Sequence, residues 1–239
     1  MAGPPDAAVA SDFADVLELM QKRQIVPRAP SDDLVRVAKT IHGCTYSLIL
    51  WRFRLGRLPA HGRAFLDELS SDALQILPQV LMGYNKTTCL LIRGILENAL
   101  RHIYFSDHPV EFGRLNRDKK WYLNVDFLVD YAKNHHDFVV TENAFDALCQ
   151  ITSLYSELSE CVHGRTLRNL EQRTALARIT FDQSAADKHA AAIVRCAQAV
   201  NFMLAIFHRK ALRNFTTADR RLILRSMPVK ARQVWTHHQ

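Results

Sequence analysis

The sequence predicts an all-α protein: a helical bundle of four to five long helices with short helices at its periphery. Three observations predict it. Apolar residues recur at helical spacing over long stretches. Glycine and proline number 8 each and cluster near the ends of those stretches, which argues against a turn-rich β fold. Two stretches, Asn85–Phe105 and Thr141–His163, are apolar nearly all round, as helices in the middle of a bundle are.

The elements follow in order. Residues 1–10 are small and proline-containing, the composition of a disordered terminus. Ser11 is a candidate cap for a short helix with Phe13, Val16, Leu17 and Met20 on one face. Pro27 and Pro30 break it. Ser31 can cap a longer helix, Asp32–Leu55, with Leu34, Val37, Ala38, Ile41, Thr45, Leu48 and Phe53 at core spacing. Gly56–Gly62 reads as a turn. One helix is expected over Arg63–Leu69. Another is expected from Ser71, with Leu74, Leu77 and Leu81 inward and Pro78 kinking or restarting it. Gly83 ends that helix. The first central helix places Ile92, Ile95, Leu96, Ala99 and Ile103 on one face and stops at His108-Pro109. Val110–Lys120 is a basic segment, Leu123–Asn134 a helix, and His135–Val140 a loop leading to a cap at Thr141. Arg165–Arg178 reads as a basic loop with room for a short strand. A long helix over Ala185–Leu212 carries Ile193, Ala197, Val200, Leu204 and Phe207 inward, and Ala218–Arg225 is the last short helix. The organisation is one domain over residues 11–226 and a basic tail, 227–239.

The chain of 239 residues suffices for one sizeable core. Its 48% hydrophobic and 23% charged residues are those of a soluble globular protein. A net charge of +7 and a pI near 9.3 favour polyanionic partners such as RNA, DNA or a membrane surface; a generally basic surface is the competing reading. Cys44, Cys89, Cys149, Cys161 and Cys196 are odd in number, form no C-x-x-C pair and each fall in a helical stretch, which suits buried thiols in a reducing compartment. No zinc spacing is present, and neither metal nor cofactor is expected. The N-terminus lacks the pattern of a signal peptide, and no run reads as a bilayer span, so the expectation is a bacterial cytoplasmic protein without a membrane partner.

The candidate chemistry lies on the two central helices. Arg93, Glu97 and Arg101 are spaced i, i+4, i+8 on the first, and Tyr155, Ser159 and His163 on the second. Facing each other, they make a candidate site of Arg93, Glu97 and His163, supported by Tyr155 and Ser159. An imidazole titrating near neutrality suits proton transfer at a scissile phosphate. The competing readings are structural: His163 before Gly164 as a helix C-terminus, and Arg93–Glu97 as a buried ion pair. Arg114, Arg117, Lys119, Lys120, Arg165 and Arg168 are candidates for tracking a nucleic-acid backbone, with Trp121 and Tyr122 beside them to stack on a base. A solvated loop anchored by its Trp is the alternative. No phosphate-binding glycine loop, Gly-x-Ser-x-Gly elbow or His-Glu-x-x-His helix is present, which lowers NTPase, serine-hydrolase and zinc-protease readings.

The phrases LIRGILENALRHIYF and YSELSECVHG resemble the HEPN superfamily, in particular its bacterial members found near defence genes; the resemblance spans Leu81–His208. It implies a four-to-five-helix bundle, a homodimer, and a metal-independent endoribonuclease of a toxin–antitoxin or antiviral defence system that cleaves RNA through its 2′-hydroxyl. Other members of that superfamily have lost catalysis and serve as binding or scaffold units. Its signature is Arg, a polar residue, a few residues, then His. Upstream of His163 the corresponding positions carry Ser156, Glu157 and Leu158, whereas RHIYFSDH supplies Arg101, His102 and His108 at an allowed spacing. Two functions stay open: an HEPN-like protein that cleaves or binds RNA, or a non-catalytic helical interaction module with a protein partner in a defence complex.

Overall fold

The computed structural model describes residues 7–141, 144–163, 175, 179–229 and 231–232. Among them every regular element is an α-helix. In order these are α1 (Ala7–Lys22), α2 (Asp32–Arg54), α3 (Ala60–Leu81), α4 (Asn85–Asp107), α5 (Pro109–Arg117), α6 (Val125–Asn134), α7 (His136–Val139), α8 (Ala144–His163), α9 (Gln183–Phe207), α10 (Arg209–Leu212) and α11 (Thr217–Arg225).

The helix α4 is the axis of the bundle. It packs against α3, α6, α8 and α9, while α2 closes the far side against α3 and α9. Ile92, Ile95, Leu96, Ala99 and Ile103 of α4 are fully buried, as the helical periodicity predicts. Between α2 and α9 the core contains one polar chain. The Trp51 indole N–H donates to Asn201 Oδ1 at 2.8 Å, and Asn201 Nδ2 donates to Ser47 Oγ at 2.8 Å. All three side chains are sealed from solvent, so this chain fixes the register of the two helices.

Helix starts are set by caps. Ser31 Oγ accepts from the Leu34 N–H, Asn124 Oδ1 from Phe127, and Asp182 Oδ1 from Ala185. Gly83 closes α3 with φ +79°, and a Cβ there would lie 2.1 Å from the Thr180 carbonyl oxygen. The α3–α4 turn therefore depends on glycine twice, for its left-handed backbone and for its close approach to the segment before α9.

Several elements differ from the sequence reading. The helix α1 already runs from Ala7, so Ser11 lies inside it, and its docking is set by Asp12, which meets His42 Nε2 at 2.7 Å. A single helix, α3, replaces the two expected, and it continues through Pro78. The carbonyl that loses its donor there belongs to Leu74, which is 64% exposed and can be solvated. The spacing predicts Leu74 and Phe53 inward; Ala73 and Ile76 fill the core instead of Leu74, and Trp51 is buried while Phe53 is 66% exposed. The basic segment after His108 is helical as α5 because Pro109 occupies its first turn, where a missing N–H costs nothing. The loop before Thr141 holds the short α7, and Ala185–Leu212 is two helices, α9 and α10, separated at His208. Residues 164–174, 176–178 and 233–239, which include most of the expected basic loop and most of the basic tail, lie outside the described residues.

Contrary to the sequence expectation, one described helix, α9, is long and apolar enough to cross a membrane by length and composition. In the bundle 72% of its most apolar window is buried, the property of a core helix.

Candidate functional site

The two polar stripes meet at one point. Arg93 leaves α4 toward α8, its guanidinium lies 4.8 Å from the centre of the Tyr155 ring, and its Nη1 is 3.2 Å from His163 Nε2. A guanidinium has only donors, so Nη1 donates, Nε2 accepts, and the His163 proton in this contact resides on Nδ1. Arg93 is half-buried, Tyr155 half-buried and His163 exposed, so the guanidinium sits at the mouth of the α4–α8 seam. Among the described residues no carboxylate lies within ion-pairing distance of Arg93. Ser159 is buried between Tyr155 and His163 along α8, and its hydroxyl donates to the Tyr155 carbonyl at 2.7 Å. It braces its own helix, and its hydroxyl is not turned to the imidazole.

Glu97 is not part of this constellation. It pairs with Arg101 one turn further along α4. Both line a groove of about 500 Å³ between α3 and α4, together with Phe65, Glu68, Asp72 and Asn98. Gly94 makes that groove possible, since a Cβ there would fall 2.5 Å from Asp72 Oδ2. The Asp72 carboxyl accepts from Asn98 Nδ2 at 3.2 Å. Burial first, and the neighbouring Glu68 charge second, push it up to about 6.

Arg101 and His108, the pair that fitted the signature spacing, do not meet in a common contact. Arg101 is engaged with Glu97 and lies over the Phe65 ring at 5.9 Å. His108 Nδ1 donates to the Tyr104 carbonyl at 2.8 Å and its ring stacks on Tyr104 at 4.2 Å. It belongs to a cluster the sequence reading missed, at the junction of α4, α5, α6 and α7. There Tyr104 donates to Glu111, Tyr131 donates to Asp107 at 2.6 Å, and His135 Nε2 lies 3.0 Å from the same Asp107 carboxylate. Burial and these carboxylates raise both phenols above their ordinary range, so both stay protonated and can donate. These residues come from three consecutive helices and the caps between them, and no single helical spacing announces them.

A second unannounced pair is His102 and His208. Their Nε2 atoms are 2.7 Å apart; the His102 ring is fully buried and the His208 ring half-buried. At that distance one ring donates and the other accepts, and burial disfavours a charge on either. Burial pushes both well below the ordinary imidazole range.

The basic candidates are surface groups. Arg114 pairs with Asp118 at 3.3 Å and covers the Trp121 ring at 5.0 Å, and Arg117 Nε donates to the Gly113 carbonyl. Lys119 and Lys120 are exposed beside them, and Tyr122 is 76% exposed while Trp121 packs on the core. Arg165 and Arg168 lie outside the described residues. Among the described residues no three His, Cys, Asp or Glu side chains gather to hold a metal ion.

The chain matches no protein-family model, and no curated protein or solved structure is significantly similar to it. The labels that hung on the HEPN resemblance are corrected accordingly. The family name, RNA binding, endoribonuclease activity, a role in antiviral defence or toxin–antitoxin systems, and a dimeric state have no support in any matching protein. The all-helical bundle stands on its own geometry.

Proposed function

We propose that this bundle of four to five long helices is a non-catalytic interaction module that receives a carboxylate of an acidic protein partner at the α4–α8 seam. One observation supports the reading above others: a half-buried guanidinium, Arg93, is held on Tyr155 and aimed past His163 with no carboxylate of its own among the described residues. A cation removed from bulk water gains most from an opposite charge, and a carboxylate is the geometric complement of a guanidinium's fork. One positive charge suits a monoanion better than a phosphate dianion. The net charge of +7 and the exposed Arg114, Arg117, Lys119 and Lys120 would steer an acidic surface toward the module. The remaining acid–base candidates have structural employment: Glu97 with Arg101, and His108 with Tyr104.

The test uses acetate as the probe. Side-chain NMR of Arg93 and His163 is followed during an acetate titration, in wild type and in Arg93→Met, which keeps the aliphatic length. Saturable shifts at both residues, lost in the variant while the fold persists, support the reading. Two results overturn it. One is the absence of any saturable shift together with a sharp loss of stability in Arg93→Met, which would make Arg93 a purely structural cation at the last turn of α8. The other is cleavage of total RNA in EDTA that His163→Ala abolishes.

A further inference from the structure

The five cysteines read from the sequence as buried thiols; Cys89 and Cys196 are buried, Cys44 and Cys161 are half-buried, and the exposure of Cys149 corrects the expectation for it. Cys196 is sealed in the core and Cys44 packs at its edge, and burial pushes the Cys44 thiol up to about 12 and Cys196 higher still. Cys149 is on the surface. Cys89 and Cys161 differ. They are 72 positions apart in sequence, on α4 and α8, and their sulfurs lie 2.9 Å from each other. A disulfide needs about 2.05 Å, so closure asks the two sulfurs to approach by under an ångström. Both are thiols here, not a disulfide. Cys89 is one helical turn before Arg93, and Cys161 is two residues before His163.

We infer that Cys89 and Cys161 form a reversible redox pair whose disulfide pins α4 to α8 beside the Arg93–His163 contact. Their unequal exposure gives the chemistry an order. Cys161 is partly open to solvent, whereas Cys89 is 5% exposed. A hydroperoxide reaches Cys161 first. The Cys161 thiolate attacks the outer peroxide oxygen, the O–O bond breaks, an alcohol or water leaves, and Cys161 carries a sulfenic acid. The Cys89 sulfur then attacks the Cys161 sulfur. The S–S bond forms, the S–O bond breaks, and the Cys89 proton leaves with the hydroxide as water. Two electrons pass from the two thiols to the peroxide, and a dithiol reductant reverses the change. Buried Cys89 is thereby the resolving thiol, waiting at contact distance. The pair is independent of what the seam binds.

The experiment uses the full chain, fully reduced and then exposed to hydrogen peroxide at equimolar amounts. Thiols left over are alkylated, and the protein is digested and analysed by mass spectrometry. Tryptic cleavage leaves Cys149 and Cys161 on one peptide, so a Cys149→Ser background is used alongside wild type. The expected result is the loss of two alkylation sites out of five, a mass lower by two hydrogens, and a cross-linked peptide joining Cys89 to Cys161 that dithiothreitol separates. In Cys89→Ser the sulfenic acid on Cys161 should persist and be captured by dimedone. In Cys161→Ser, Cys89 should remain alkylatable. The inference is overturned if wild-type Cys161 proceeds to the sulfinic acid while Cys89 stays a thiol, or if Cys149 alone reacts.

Discussion

Acidification should weaken this protein through the His102–His208 pair at a pH above the ordinary carboxylate range. The two Nε2 atoms, 2.7 Å apart, share a single proton; the His102 ring is sealed from water and the His208 ring is half-buried. Protonating the accepting ring would place a second N–H in the contact, and protonating the donating ring would put a charge in the core. Burial therefore holds both folded-state pKa values well below 6.5, the value of an unfolded imidazole. A base with a depressed folded pKa contributes stability above its unfolded pKa, and that stability is lost as pH falls below about 6.5. With the folded rings still neutral at pH 5, each unfolded imidazole gains RT ln(1 + 10^1.5), about 2 kcal/mol, and the two together about 4 kcal/mol. Urea unfolding at steps from pH 7.5 to 5 measures this directly. The double variant His102→Leu/His208→Leu, which keeps similar volume, should show a pH profile shallower by roughly that amount. Parallel profiles for wild type and double variant across this range would show that the pair is not neutral, or not buried, and would refute the reasoning.

Three further perturbations follow from single contacts. Asp72→Asn should stabilise the protein at pH 8, because the folded carboxyl is raised to about 6 and its ionised form is the disfavoured one; the ceiling from that shift is about 3 kcal/mol, and partial exposure reduces it to about 1, fading as pH falls toward 4. Gly83→Ala should lower stability by roughly 2–4 kcal/mol in denaturant titrations, since it combines φ +79° with a backbone oxygen 2.1 Å from the new Cβ. Asn201→Ala strands the Trp51 N–H in a dry core, while the Ser47 hydroxyl keeps its bond to the Cys44 carbonyl, and a thermal or urea midpoint should report a loss of about 1–3 kcal/mol; a loss under about 0.5 kcal/mol would mean the polar chain does not set the α2–α9 register.

The bundle was legible because its signal is repetitive. Each central helix states its buried face many times over, as Ile92, Ile95, Leu96, Ala99 and Ile103 do on α4. The site was legible only where one spacing met one partner. A helix turns about 100° per residue, so an i, i+4 ladder drifts about 40° at each step. Arg93 points at α8, while Arg101, about 80° further round, points at α3 and takes Glu97 with it. The ladder that was read as one stripe is therefore two sites. Leu74 and Phe53 lie outside the core because Ala73, Ile76 and Trp51 take the inward positions. The His102–His208 and Cys89–Cys161 contacts had no sequence signature at all. Each joins helices 106 or 72 residues apart through one atom pair, and nothing local encodes which face of which helix will meet.

Arg93→Lys separates a built site from a merely basic surface. If only net charge recruits the partner, a lysine keeps that charge and the acetate response survives. The geometry asks for more than charge. The guanidinium plane lies over Tyr155 at 4.8 Å, and one Nη donates to His163 at 3.2 Å. Its remaining N–H groups are then oriented by those two contacts, ready to meet both oxygens of a carboxylate side by side. An ammonium has no plane to stack and no fork, and a shorter reach would draw it away from His163. Arg93→Lys should therefore weaken acetate binding at least tenfold, about 1.4 kcal/mol, approaching the Arg93→Met variant. Its thermal midpoint should remain near wild type, because the charge at the seam is preserved. Retention of wild-type acetate affinity by Arg93→Lys would mean that the seam contributes a charge and no geometry.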